Sequence, residues 1–144
     1  GCDLDAASFC FSNEADRMKI LVVEDSPSMR AYVTTLVEGY PDVDDIDIVE
    51  ASSGFEALKV LPHHKFDAIL TDINMPDING LELVSFIKNH PAYKTIPILV
   101  ISTESSEEDR RRAEALGAEE YLVKPFAPEE LLAKLRRLFG RSSS

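Results

Sequence analysis

The chain has 144 residues, of which 44% are hydrophobic, so it is long enough for one domain with a substantial core and too short for two of ordinary size. Its formal net charge of −11 and its pI near 4.6 argue against a nucleic-acid-binding protein, because binding to phosphates needs a clustered basic surface. No apolar stretch approaches the roughly 20 residues that span a bilayer, so we expect no membrane insertion.

The first segment, residues 1–17, lacks the basic start and apolar middle of a signal peptide. We interpret it as a flexible appendage to a folded domain over residues 18–140, with a second flexible tail at residues 141–144. Cys2 and Cys10 both lie in the appendage, where they cannot cross-link the core. This distribution favours a reducing compartment, and we expect a cytoplasmic protein.

Five short apolar runs alternate with amphipathic stretches of helical length along the domain. The predicted strands are 19–23, 46–50, 66–71, 96–101 and 119–123, and the predicted helices are 27–38, 54–61, 80–89, 106–116 and 127–139. This alternation predicts a parallel sheet, and right-handed crossovers make it a doubly wound α/β sandwich. The alternating polarity of 46–50 indicates an edge strand, whereas the almost continuously apolar runs at 19–23 and 96–101 indicate strands covered on both faces.

Several residues mark the predicted helix ends. Ser26, Ser53 and either Ser105 or Ser106 are suited to N-caps, Pro128 is suited to the first turn of the last helix, and Gly117 is suited to a C-cap.

Polar side chains end four of the five predicted strands. Glu24 and Asp25 follow the first strand, Asp72 the third, Ser102 the fourth and Lys124 the fifth. Because the carboxyl ends of parallel strands share one edge of a sheet, where open α/β sheets place their ligand sites, we expect these side chains to converge.

Three clustered carboxylates would repel one another unless a cation neutralised them. Their oxygen ligands, with the backbone carbonyl of Asn74 as a further donor, suit Mg²⁺ or Mn²⁺ better than zinc. A carboxylate beside such an ion, a lysine and a hydroxyl is suited to accept a phosphoryl group. Asp72 would be the nucleophile, and Lys124 and Ser102 would bind the phosphoryl oxygens. Taken singly, each residue is also an ordinary turn or cap residue.

The chain resembles the response-regulator receiver family in its motif set, which is Glu24-Asp25, Asp72, Ser102 and Lys124-Pro125. The resemblance covers residues 18 to about 139 and implies the flavodoxin-like (βα)5 fold with strand order 2-1-3-4-5. It also implies that Asp72 accepts phosphate from a histidine kinase or a phosphotransfer protein. Such a chain is a signalling protein and not an ordinary enzyme.

The resemblance also assigns roles within the site and its surroundings. Glu24, Asp25, Asp72 and the Asn74 carbonyl would bind Mg²⁺, with Glu24 acting directly or through water, and Thr103 would join Lys124 and Ser102 in binding the phosphoryl group. Ser102 and Tyr121 would form the switch that phosphorylation moves. A downstream protein would read the result at a face that includes Thr103, Glu104, Tyr121 and Phe126. The bond between Lys124 and Pro125 is often cis in this family.

The same resemblance favours a CheY-like regulator of chemotaxis or motility, or a phosphorelay intermediate. Asn74 and Glu104 match the CheY pattern at positions that influence loss of the phosphoryl group, so we expect a short-lived signal. The printed sequence carries no second module, so we expect output by docking, from a monomer or weak homodimer. A receiver fragment of a hybrid kinase or of a longer regulator is the alternative.

Two other classes use a related fold. A Mg²⁺-dependent aspartyl phosphatase of the haloacid-dehalogenase type wants a second Asp where this chain has Asn74. A flavodoxin-like FMN carrier needs a phosphate-binding loop after the first strand, but that loop begins here with Glu24 and Asp25. Both remain distant alternatives.

Overall fold

The predicted apolar runs form one parallel sheet in the computed structural model, which describes residues 17–41, 43, 45–103 and 107–142. The strands are β1 (Arg17–Val23), β2 (Asp45–Ala51), β3 (Ala68–Asp72), β4 (Ile98–Ser102) and β5 (Glu120–Val123). They lie in the order β2-β1-β3-β4-β5, which confirms the predicted topology and places β2 at an edge.

Five helices connect and cover these strands. They are α1 (Pro27–Glu38), α2 (Gly54–Val60), α3 (Gly80–Lys88), α4 (Glu107–Leu116) and α5 (Pro128–Ser142), and a 3₁₀ turn (Leu61–His63) extends α2. Alternate strand residues face opposite sides of the sheet, so Leu21 and Ile69 join one core layer while Ile20 and Leu70 join the other. The first layer includes residues of α2, α3 and α4, and the second includes residues of α1 and α5. The predicted sandwich is therefore confirmed.

The first strand begins at Arg17 and the last helix ends at Ser142, next to the bounds of 18 and 140 that we predict for the domain. Arg17 is the first residue of β1, where it pairs with Asp45. At the other end, α5 continues through Arg141 and Ser142, which we expected in the tail. The buried side chains of Leu138 and Phe139 hold the last part of this helix against the core. Cys2 and Cys10 lie outside the described residues.

The predicted caps are confirmed wherever the structure describes them. The Ser26 hydroxyl accepts a hydrogen bond from the Met29 N–H, and the Ser53 hydroxyl accepts one from the Glu56 N–H. Gly117 has a φ of +114°, a left-handed conformation that favours glycine. Ser105 and Ser106 lie outside the described residues. In the part of the chain that is described, no helix has both the length and the apolar character needed to cross a membrane.

Candidate functional site

The register of the sheet brings the polar strand ends to one edge. Val23 lies opposite Thr71, Asp72 opposite Ile101, and Ser102 opposite Val123. The four strands therefore end at the same level, and the residues that end or follow them share the carboxyl edge of the sheet. The predicted convergence is confirmed for these strand ends.

The three acids of this edge lie close together. Glu24, Asp25 and Asp72 each offer a carboxylate oxygen, and these oxygens all lie within 4.8 Å of one another. Glu24 and Asp72 are buried, with 4% and 6% of their surfaces exposed, whereas Asp25 is exposed. The cluster is thus open to solvent on the side of Asp25.

Lys124 reaches across the site to two of the acids. Its Nζ lies 2.9 Å from Oε1 of Glu24 and 3.3 Å from Oδ2 of Asp72. We predicted contact between this ammonium and a phosphoryl group, and in the structure the buried carboxylates are its partners. One positive charge from Lys124 faces three carboxylates, so the cluster retains an excess of negative charge.

Burial and the neighbouring charges shift the pKa values of Glu24 and Lys124. Burial is the main cause that raises the pKa of the Glu24 carboxyl above its usual 4.5, and the negative charge of Asp72 adds to it, while the hydrogen bond from Lys124 opposes it. Burial disfavours the charge on Lys124, but the hydrogen bond to Glu24 and the charge of Asp72 outweigh it and raise the pKa of the ammonium above 10.5. The lysine therefore stays protonated at neutral pH.

The β1–α1 turn is fixed by contacts to both sides of Glu24. The Glu24 N–H donates to the Ala51 carbonyl at 3.0 Å, and the Ser26 N–H donates to Oε2 of Glu24 at 3.2 Å. The Arg30 guanidinium donates from Nη1 to the Glu24 carbonyl at 2.7 Å. We did not predict this contact of Arg30, and a lone arginine in the first turns of a helix carries no sequence signal for it.

The segment after Asp72 is also fixed, by a hydrogen bond and by close packing. The Ile73 N–H donates to Oδ1 of Asp72 at 2.8 Å, which leaves Oδ2 on the side of Lys124. Gly80 packs so tightly here that a Cβ on it would clash with the Asp72 carbonyl, so only glycine fits at the start of α3. Asn79 and Glu82 form a capping box for this helix that we did not predict.

Asp77 ties the same loop to α2. Its Oδ1 accepts from the Gly54 N–H at 3.1 Å and its Oδ2 accepts from the Phe55 N–H at 2.9 Å. The hydrogen bond from Phe55 is the main cause that lowers the pKa of Asp77 to about 2. The loop that carries Asn74, an exposed residue, is thereby anchored to a neighbouring helix.

Ser102 and Thr103 occupy the end of β4. Ser102 is fully buried, and its carbonyl accepts a 2.8 Å hydrogen bond from the Lys124 N–H. Thr103 is exposed. The bond between Lys124 and Pro125 is cis, as the resemblance implied.

The predicted partner face contains two buried aromatic side chains. Tyr121 and Phe126 are both buried, since the Tyr121 ring faces the core with the Arg110 guanidinium 5.5 Å from its centroid and the Phe126 ring packs on Tyr32 at 5.8 Å. Of the four predicted contact residues, Thr103 is exposed and Glu104 lies outside the described residues. Neither aromatic side chain therefore presents a free surface in this conformation.

The donor set fits a hard divalent cation. Three carboxylates supply oxygen atoms at short mutual distance, two of them from side chains that the fold already holds in place. Oxygen donors with excess negative charge suit Mg²⁺ or Mn²⁺, which also retain bound water at such sites.

Comparison with known proteins agrees with this geometry. The family described as "Response regulator receiver domain" matches residues 20–136. The chain is 38% identical over 128 residues to the "Chemotaxis protein CheY homolog" of Campylobacter jejuni, and the match covers 88% of this chain and 95% of that protein.

Two solved structures extend the comparison. Chemotaxis protein CheY4 of Vibrio cholerae is 38% identical with a TM-score of 0.77, over 85% of this chain and 98% of that one. The receiver domain of the sensor histidine kinase PA1611 of Pseudomonas aeruginosa, solved with a magnesium ion coordinated in its active-site cleft, is 25% identical with a TM-score of 0.75, over 85% and 98% of the two chains.

Proposed function

The chain belongs to the response regulator receiver family, and we propose on that premise that Asp72 accepts a phosphoryl group from a histidine kinase or a phosphotransfer protein. The observation that carries the proposal is the cluster of three carboxylates whose oxygens lie within 4.8 Å of one another, with Lys124 in contact with two of them. Family membership makes this a protein of two-component signalling and not an ordinary enzyme.

In the proposed transfer, an Asp72 carboxylate oxygen attacks phosphorus and forms an acyl phosphate, while the bond from phosphorus to the donor's histidine nitrogen breaks. Glu24, Asp25, Asp72 and the Asn74 carbonyl would hold Mg²⁺ or Mn²⁺, which supplies positive charge to the phosphoryl oxygens. Lys124 leaves Oδ2 of Asp72 and binds a phosphoryl oxygen. The Ser102 hydroxyl and Thr103 donate further hydrogen bonds to the transferred group.

The signal is a change at the surface beside the site. Movement of the Ser102 hydroxyl toward the phosphoryl group leaves room that favours the inward position of Tyr121, and a downstream protein reads the altered face around Thr103, Glu104, Tyr121 and Phe126. The Tyr121 ring is buried here, which corresponds to the inward position of the proposed switch. Asn74 and Glu104 favour a short-lived acyl phosphate, so a lifetime of many hours would contradict this part of the proposal.

A CheY-like regulator of chemotaxis or motility in the cytoplasm, acting as a monomer or weak homodimer, is the role we propose first. It is supported by the CheY homolog of C. jejuni, nearly all of whose length this chain matches. The second candidate is a receiver that works within a hybrid kinase or a phosphorelay, and the similarity to the receiver domain of PA1611 favours it. The phosphatase alternative is weaker because Asn74 cannot act as a general acid.

The test is incorporation of phosphate from acetyl phosphate, followed by intact mass in the presence of Mg²⁺ and in excess EDTA. Wild type should gain one phosphoryl group with Mg²⁺ only, and Asp72→Asn should gain none. The matched control is Asp67→Asn, which removes a carboxylate just before β3, at the opposite end of the sheet from the cluster, and should still be labelled. Labelling of Asp72→Asn, or no labelling of wild type under any condition, would overturn the proposal.

A further inference from the structure

We propose that Arg30 is a positioning residue for the divalent-cation site, because it fixes the peptide that joins Glu24 to Asp25. The inference rests on the proposed function, since it concerns the cation held by the same acids. Arg30 touches neither of the two carboxylates in the contacts described. Its Nη1 donates to the Glu24 carbonyl oxygen at 2.7 Å, which is the shortest contact of this turn.

The guanidinium is itself held from the other side. Its Nε donates to Oε1 of Glu50 at 3.3 Å, and the Thr34 hydroxyl donates to Oε2 of the same carboxylate at 3.2 Å. The Arg30 backbone N–H also bonds to the Ser26 carbonyl within the first turn of α1. Arg30 therefore links three elements: the β1–α1 turn, helix α1 and the end of β2. A rigid fork of this kind is a property of guanidinium that an ammonium does not share.

The peptide that Arg30 contacts joins the two acids. The Glu24 carbonyl and the Asp25 N–H belong to one planar unit between their Cα atoms, so a hydrogen bond to its oxygen restrains the backbone torsions on both sides, ψ of Glu24 and φ of Asp25. Glu24 has additional restraints from Ala51, Ser26 and Lys124. Asp25 is exposed, so burial does not hold its carboxylate and the backbone must. Loss of the Arg30 contact should consequently affect Asp25 most.

If Arg30 acts through its charge, its removal should change the Mg²⁺ affinity in one direction, and if it acts by positioning the turn, in the other. The guanidinium places a positive charge beside a site that binds cations, so by electrostatics alone its removal should strengthen Mg²⁺ binding. If Arg30 fixes the ligand-bearing turn, its removal should weaken binding in spite of that gain. The direction of the change in affinity therefore distinguishes the two roles.

The experiment is a calorimetric Mg²⁺ titration of wild type, Arg30→Met, Arg30→Lys and the control Arg112→Met at fixed ionic strength. Arg112 is an exposed arginine of α4 that also forms an ion pair, with Asp109 at 3.5 Å. We expect Arg30→Met to raise the Mg²⁺ dissociation constant by about tenfold, as loss of a ligand-orienting contact does elsewhere. Arg30→Lys keeps the positive charge but has a single donor nitrogen, so it should recover part of the lost Mg²⁺ affinity. Arg112→Met should bind Mg²⁺ as wild type does.

Thermal unfolding in EDTA verifies that each variant is folded. If Arg30→Met is not, Thr34→Val replaces it, because it removes the hydrogen bond from an uncharged hydroxyl that holds Glu50 beside the guanidinium and leaves every charge in place. An unchanged or lower dissociation constant in Arg30→Met, or in Thr34→Val in its place, would overturn the inference. If wild type itself binds no Mg²⁺, the proposed cation site fails and the inference with it, whereas Mg²⁺ binding that Arg30→Met leaves unchanged overturns the role of Arg30 alone. Weakening equal to that of Arg30→Met in Arg112→Met would also overturn the inference, because the effect would then be general.

Discussion

Charged side chains at the two ends of the sheet are compensated by opposite charges to different extents. At the amino end, Lys88 and Glu119 form a matched pair, with Nζ 2.8 Å from Oε2, and each charge has further hydrogen bonds. Lys88 donates to the Ile96 carbonyl, and the other oxygen of Glu119 accepts from the Ile98 N–H. At the carboxyl end, three carboxylates face the single positive charge of Lys124.

This difference separates a structural site from a binding site. Where each charge has an opposite charge and a set of hydrogen bonds, the side chains stabilise the connection between elements and have nothing further to bind. Where buried acids exceed the nearby positive charge, the fold carries a repulsion that a ligand can relieve. The following substitutions test that contrast, in order of decreasing expected effect.

Replacement of Lys88 by Met should give the largest loss of stability. Lys88 and Glu119 are mostly buried, with 10% and 24% of their side chains exposed, so removal of one leaves the other without compensation. We expect the free energy of unfolding to fall by about 2 to 3 kcal/mol with no change in Mg²⁺ affinity. Urea denaturation measures the first quantity and calorimetry the second. A change in Mg²⁺ affinity would show that the two ends are not independent.

Replacement of Lys124 by Met should have a smaller effect on stability and a larger one on binding. Glu24 and Asp72 lose their compensating charge, so the metal-free protein should lose about 1 to 2 kcal/mol. Mg²⁺ should then bind more tightly and raise the melting temperature more than it does in wild type, because more repulsion is relieved. Melting curves at several Mg²⁺ concentrations measure both effects, and an equal response to Mg²⁺ in the two proteins would be contrary to this expectation.

Replacement of Asp25 by Ala should separate binding from stability altogether. We expect Mg²⁺ binding to be lost, while the metal-free fold stays as stable as wild type or gains less than about 1 kcal/mol, because like-charge repulsion falls. Denaturation in EDTA is the measurement. Should the variant melt well below wild type without metal, the idea of charge crowding at this edge would be wrong.

Asp77 extends the comparison, because it is a carboxylate at the carboxyl end of the sheet whose hydrogen bonds to α2 are structural. Its pKa is about 2 in the folded protein and 3.8 in the unfolded reference, so its stabilising effect is present above pH 3.8 and is lost as the pH falls toward 2. Asp77→Asn should therefore be less stable than wild type at pH 6, by a margin that shrinks as the pH is lowered to 3. Urea denaturation of both proteins across this range tests it, and a margin independent of pH would refute the assigned cause.

Local chemistry explains where sequence reasoning succeeded on the fold. The bounds of α1 agree with the prediction because Ser26, Pro27 and Gly39 mark both ends of the helix within the chain itself. Strand β3 begins two residues later than predicted, since Asp67 turns its carboxylate to the Lys19 N–H. Strand β4 likewise begins after Pro97, which has no N–H to donate to the ladder.

In the site, too, features set by nearby residues could be predicted from the sequence, whereas contacts between distant residues could not. Glu24, Asp25 and Asp72 could be placed at one edge from strand ends alone, because parallel register follows from topology. The pairing of Lys124 with Glu24 could not, since the two residues are 100 positions apart and the choice between acids depends on side-chain reach. The hydrogen bonds of Asp77 with the N–H groups of Gly54 and Phe55, 23 and 22 positions away, were missed for the same reason. The contact of Arg30 with the Glu24 carbonyl is only six positions apart, but it has no sequence signal.

The most direct test of the account is a Mg²⁺ titration followed by ¹H–¹⁵N spectra of the wild-type protein at physiological ionic strength. We predict saturable shifts that are largest at residues 24–26 and 72–74, at the carboxyl edge, with little change around Lys88 and Glu119 at the amino edge. The absence of saturable shifts, or equal shifts at both edges, would contradict the claim that excess carboxylate charge at one end of the sheet forms a cation site.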